Sequence, residues 1–173
     1  MMTEHTTHDH RIVATVAAFE AAMERFLARI EAAPAAAVEH APVDGGWSAA
    51  GVTWHVAVTN EAFAGLVDGS VPLATAPEPD FAEVPFSELA AMVPEQLEAP
   101  EKFHPPAGLT QHEALGRAKA SQSRLVDALR AMPESKGLWN VKSILGNLSL
   151  YQVGEWAVAH VARHNAQAKR AIG

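Results

Sequence analysis

The strongest constraint in this chain is a spacing near its start. Ile12, Val16, Phe19, Met23, Phe26 and Ile30 recur at alternating intervals of four and three, the pattern of a helix that buries one continuous seam against other helices. Pro34 follows the end of that helix, expected over residues 9–33, because proline has no N–H to continue the ladder. Nearly half of the residues are hydrophobic, much of that alanine, and aromatic residues are few. With little alternation of Val, Ile and Thr, that mixture favours helix over sheet throughout.

Three further long helices follow from local signals. The second begins at Trp47-Ser48. Ser48 suits the N-cap, and Trp47 before it can staple onto Val52. Val52, His55, Val56, Thr59, Phe63 and Leu66 then share one side, and Asp68-Gly69-Ser70 stops the helix. The third opens on the capping box Thr110-Gln111-His112-Glu113, carries Leu115, Ala118, Gln122, Leu125, Leu129 and Met132 along its seam, and is closed by Pro133. The fourth opens on a second capping box, Ser149-Leu150-Tyr151-Gln152, and runs nearly to Gly173. Residues 34–46 and 136–148 read as loops. Residues 71–106 hold eight of the eleven prolines and no long periodic run beyond a short helix expected at 87–93, cut by Pro94. So long a connection commonly covers something or carries function. The expected architecture is all-α: one domain over residues 1–173, an antiparallel four-helix bundle with a long Pro-rich crossover between its second and third helices. Residues 1–8 are expected as a flexible tail.

Composition excludes several functions. Without cysteine there are no disulfides, no thiolate metal sites and no cysteine nucleophile. No apolar run reaches the roughly 20 residues of a membrane span. The polar, His-rich first ten residues do not resemble a secretory signal, so a cytoplasmic location is the default. The net charge is −7, unevenly spread. Residues 30–101 carry 12 acidic residues and no Lys or Arg, whereas residues 102–173 carry ten basic and four acidic ones. Solvated faces with some internal pairing account for this. No basic, aromatic-interleaved surface suggests nucleic acid.

The chemistry lies with the histidines. His160 and His164 fall one turn apart on the last helix, and Gln167 follows three residues later on the same face. An Ala/Val-rich helix turns such a polar stripe inward only where something satisfies it. His55 sits inside the apolar stripe of the second helix. Three imidazoles from two helices suit a divalent cation such as Zn, Ni or Fe, with positions left open for water or substrate. The competing reading makes His160 and His164 surface residues and His55 a satisfied core residue, and spacing does not decide between them. A zincin motif is excluded, because Val161 stands where its glutamate would be. Glu155 or Glu61 could act as a general base, although each is more simply a solvated carboxylate. Arg163 points off the histidine face. His104, in Phe103-His104-Pro105-Pro106, could lean over the metal mouth, and His5, His8 and His10 could bind metal adventitiously.

Trp47-Ser48 with His55, then His160-x-x-Arg163-His164-x-x-Gln167 in a terminal helix led in by Leu145-Gly146-Asn147-Leu148-Ser149-Leu150, resembles the DinB-like superfamily over nearly the whole chain. The resemblance implies an up-down-down-up bundle and a divalent metal held by His55, His160 and His164. It also implies a homodimer, and a metal-dependent transferase, isomerase or hydrolase acting on a small molecule, in some relatives with a low-molecular-weight thiol such as bacillithiol or mycothiol. A non-catalytic binding bundle, or one whose site has decayed, is the alternative. Two positions depart from the pattern. Gly51 replaces a common glutamate, expected to cost a capping partner and some stability, and Lys142-Ser143 stands where relatives often have His-Pro.

Overall fold

The computed structural model describes residues 4–43, 45–91 and 98–173. Among them are six helices: α1 (Glu4–Ala32), α2 (Ala35–Glu39), α3 (Ala49–Asp68), α4 (Phe86–Ala91), α5 (Gln111–Ala131) and α6 (Leu150–Ile172). A hairpin of β1 (Asn140–Ser143) and β2 (Gly146–Ser149) precedes α6. The four long helices are those expected. α1 and α3 each pack against both α5 and α6. The anticipated seam of α1 is buried from Ile12 to Ile30, with Phe19, Met23, Phe26 and Ile30 fully so, and Leu125, Leu129, Leu148 and Val161 close the same core. No described helix is long and apolar enough to cross a membrane.

Helix ends follow local chemistry. The Ser48 hydroxyl accepts from Gly51 N at 3.1 Å, and α3 stops at Gly69, whose φ of +80° is cheap only for glycine. Both capping boxes are closed, at Thr110 with Glu113 and at Ser149 with Gln152.

The segments expected as loops are more ordered than that. Residues 35–39 form a helical turn behind Pro34, and part of 136–148 forms the hairpin, a small two-stranded addition to a chain that is otherwise mostly helical, consistent with the all-α expectation. The hairpin turns through Ile144-Leu145, closed by Ser143 Oγ, which accepts from Leu145 N at 3.0 Å and donates to Gly146 O at 2.9 Å. The Lys142-Ser143 pair thus lies in β1. Thr75 bridges to Asn140 from the long connection. The short helix expected at 87–93 is present as α4, and its anticipated end at Val93-Pro94 lies outside the described residues. α1 begins at Glu4, so the segment expected as a tail is helical as far as it is described.

The connection between α3 and α5 is pinned at its first half by a polar cluster. Arg11 of α1 pairs with Glu83 at 2.7 Å and with Glu155 of α6 at 2.8 Å. Glu83 also accepts from the Ser149 hydroxyl, and Gln152 Nε2 donates to Val84 O at 2.6 Å. Its second half, a turn at Glu101–Phe103 followed by two prolines, lies against α3. That contact positions the site.

Candidate metal centre

His55 enters from the second turn of α3, and His160 and His164 enter from the middle of α6, where these two helices pack. One ligating nitrogen from each lies within 4.8 Å of the others, a group that could hold a metal ion. Ring centroids are 5.1 Å apart for His55–His160, 4.7 Å for His55–His164 and 4.3 Å for His160–His164. The polar stripe of α6 therefore faces inward, against the reading of His160 and His164 as surface residues.

Outer partners set the tautomers. His55 Nδ1–H donates to the Phe103 carbonyl at 3.0 Å, and His164 Nδ1–H donates to Gln167 Oε1 at 2.7 Å. Each bond leaves its ring's Nε2 as a bare lone pair, the state that ligates a cation. His55 Nε2 lies 3.2 Å from His160 Nε2, and His160 Nδ1 is buried with no partner among the described residues. Two ring nitrogens face to face beside an orphaned one are satisfied by a shared proton or by a cation between them. The donor set fits a divalent metal.

Electrostatics agree. Burial depresses the His55 pKa, opposed by the Phe103 carbonyl and aided by nearby His104. Burial likewise takes His160 well below its ordinary value, with His164, His55 and Arg163 adding to the effect. His164 is lowered to about 4, first by burial and then by His55. At neutral pH all three are uncharged, as metal ligation requires.

The other expected participants sort by their contacts. Gln167 supports His164 directly. His104 is exposed and outside the histidine group. Its Nε2–H donates to Ala99 O at 2.7 Å, and its ring lies 5.6 Å from that of Trp47. Glu61 is paired with Arg117 at 2.9 Å, and Glu155 with Arg11, so neither is a free carboxylate at the site. His8 contacts the Tyr151 hydroxyl at 2.6 Å.

Three neighbours were not singled out for the site by sequence. The Phe103 carbonyl is one, and a backbone atom leaves no mark on residue type. The others are aromatic walls, with Trp47 5.0 Å from the His55 ring and Phe63 6.2 Å from the His160 ring. Phe63 shares the stripe of His55 and Thr59 at intervals of four, and that spacing was the signal available for it.

The DinB superfamily model matches residues 18–168. No curated protein and no solved structure matches the chain. The family match runs from the middle of α1 almost to the end of α6 and encloses His55, His160 and His164, so the chain belongs to the DinB superfamily.

Proposed function

We propose that this protein is a metal-dependent enzyme acting on a small molecule through a three-histidine centre. The observation that carries the reading is the convergence of three neutral imidazoles, two with their Nδ1–H already engaged, on one point between α3 and α6. His55, His160 and His164 would hold a divalent ion of the Zn, Ni or Fe class. The chemistry such an ion supplies is Lewis acidity: a nucleophile beside it ionises more readily, and an electrophile is polarised. Phe103 and Gln167 orient two ligands, and Trp47 and Phe63 limit water around them. Transfer or isomerisation using a low-molecular-weight thiol fits a chain with no cysteine only if the thiol arrives as a cosubstrate. Hydrolysis is the close variant. An up-down-down-up helix order, a homodimer and a cytoplasmic location belong to the same proposal.

A second reading is a binding protein without turnover. The pairing of Glu61 and Glu155 with arginines favours it, since the histidine group contains no carboxylate ready to move a proton.

Elemental analysis of tag-free protein tests the proposal, comparing wild type with His55→Ala/His160→Ala. Both proteins keep His5, His8 and His10, so adventitious metal cancels. About one metal ion per chain, lost in the variant, is expected. Wild type that takes up no metal after reconstitution and dialysis would sink the enzyme reading and leave only a bundle that binds something other than metal.

A further inference from the structure

Gly51 is the third residue of α3, and its φ is not positive, so its backbone does not call for glycine. Glycine inside a helix is less favourable than most residues. What it supplies here is space. A Cβ at position 51 would lie 3.1 Å from Pro105 Cγ, 3.4 Å from Pro105 Cβ and 3.3 Å from Trp47 Cβ. Carbon atoms rest at about 3.5–4.0 Å, so a side chain there requires the Pro105 ring to give by a few tenths of an ångström against the first turn of α3.

Pro105 stands two residues after Phe103, whose carbonyl holds His55 Nδ1–H at 3.0 Å. His104 between them is fixed on both sides, by Ala99 O at 2.7 Å and by the Trp47 ring at 5.6 Å. Trp47 in turn lies 5.0 Å from the His55 ring. Gly51 and His55 are four residues apart on one face of the helix. The connection therefore touches α3 on two successive turns, Pro105 on Gly51 and Phe103 on His55.

We propose that Gly51 is a positioning residue for the metal centre: its bare Cα seats Pro105, and that seat aims the Phe103 carbonyl that holds His55 with Nε2 facing His160. The inference rests on the metal-centre reading for its consequence in affinity, but its geometric half stands alone. The expected loss of a capping-box partner stands, since glycine has no side chain to reach back to Ser48, but the Ser48 hydroxyl still caps Gly51 N–H, and what glycine adds is the space.

The test uses Gly51→Gln, which completes a capping box with Ser48 while filling the space. Gly116→Gln on α5 is the control, since nothing lies within 4 Å of a Cβ at Gly116. Imidazole 15N shifts in the metal-free protein report the His55 tautomer, and chelator competition reports Zn²⁺ affinity. Gly51→Gln should move His55 from the Nδ1–H tautomer towards a mixture and weaken Zn²⁺ binding about tenfold, the scale of lost outer-sphere support. Gly116→Gln should change neither. Pro105→Ala, which keeps Gly51 but removes the ring, should shift the same tautomer and serves if Gly51→Gln does not fold. An unchanged His55 tautomer in folded Gly51→Gln, or in Pro105→Ala, overturns the inference even if Zn²⁺ binds. A tautomer that responds to these substitutions, in a protein whose wild type binds no Zn²⁺, upholds the positioning role and overturns the metal reading instead.

Discussion

Gln167 illustrates how much one side chain can decide. Its amide oxygen accepts from His164 Nδ1–H at 2.7 Å, and without it that ring is free to carry its proton on Nε2, where it blocks ligation. Gln167→Leu keeps the bulk and removes the acceptor. It should weaken metal binding about tenfold by chelator competition, while shifting the metal-free urea midpoint by no more than about 1 kcal/mol. Gly137 answers to space as Gly51 does. Its φ of −53° is ordinary, but a Cβ there would overlap the Tyr151 ring. Tyr151 cannot swing away freely, since Arg11 stacks on its ring at 4.5 Å and His8 meets its hydroxyl. Gly137→Ala should destabilise the protein by about 1–3 kcal/mol, the usual cost of overpacking, seen as a lower melting temperature with metal content unchanged.

The two capping boxes look equivalent in sequence, but their surroundings separate them. Thr110 is exposed and serves α5 alone. Ser149 is fully buried, and besides capping α6 its hydroxyl donates to Glu83, while its partner Gln152 donates to Val84 O. Ser149→Ala should therefore cost more than Thr110→Ala, roughly 2 kcal/mol or above against about 1, measured as paired urea unfolding midpoints. Elements of this kind also mark the boundary of what could be foreseen. The four long helices were legible because periodicity, caps and breakers act within a turn or two of the chain, as at Ile12, Ser48 and Thr110. The hairpin was not. Asn140-Val141-Lys142-Ser143 is too short to show alternation, its turn carries Ile144-Leu145 rather than turn-forming residues, and strand pairing is a contact between segments. The α2 turn was hidden for a similar reason, being five residues between two prolines. Within the site, His55, His160, His164 and Gln167 could be foreseen from helical spacing and family resemblance. The Phe103 carbonyl could not, because any residue supplies one.

Part of the charge asymmetry along the chain resolves into pairing between helices. Acidic α3 meets basic α5 through Glu61–Arg117 and Asp68–Arg124, and Glu31 meets Lys119. Such exposed pairs contribute little each. The buried histidines dominate the pH response. Their folded pKa values lie below the ordinary 6.5, His164 at about 4. Between those values the unfolded chain binds protons that the folded one refuses, so stability of the metal-free protein is complete above pH 6.5 and falls as pH drops towards 4. Urea midpoints of chelator-treated protein across that range should show the decline, and His55→Gln/His164→Gln should reduce it, leaving the part that belongs to buried His160. Metal loading acts in the opposite direction. At a hundredfold excess over Kd it adds about 2.7 kcal/mol, or about 5–10 °C in melting temperature for a chain of this size, and a chelator should reverse it.

His55 and His160 stand 105 positions apart in the chain, yet their Nε2 atoms are 3.2 Å from each other. An ion shared between them would close a loop of about that length, which in a disulfide corresponds to roughly 4–5 kcal/mol of lost freedom in the unfolded chain. A polypeptide without cysteine would thus possess a cross-link that no reductant can cut, opened and closed by the supply of metal alone.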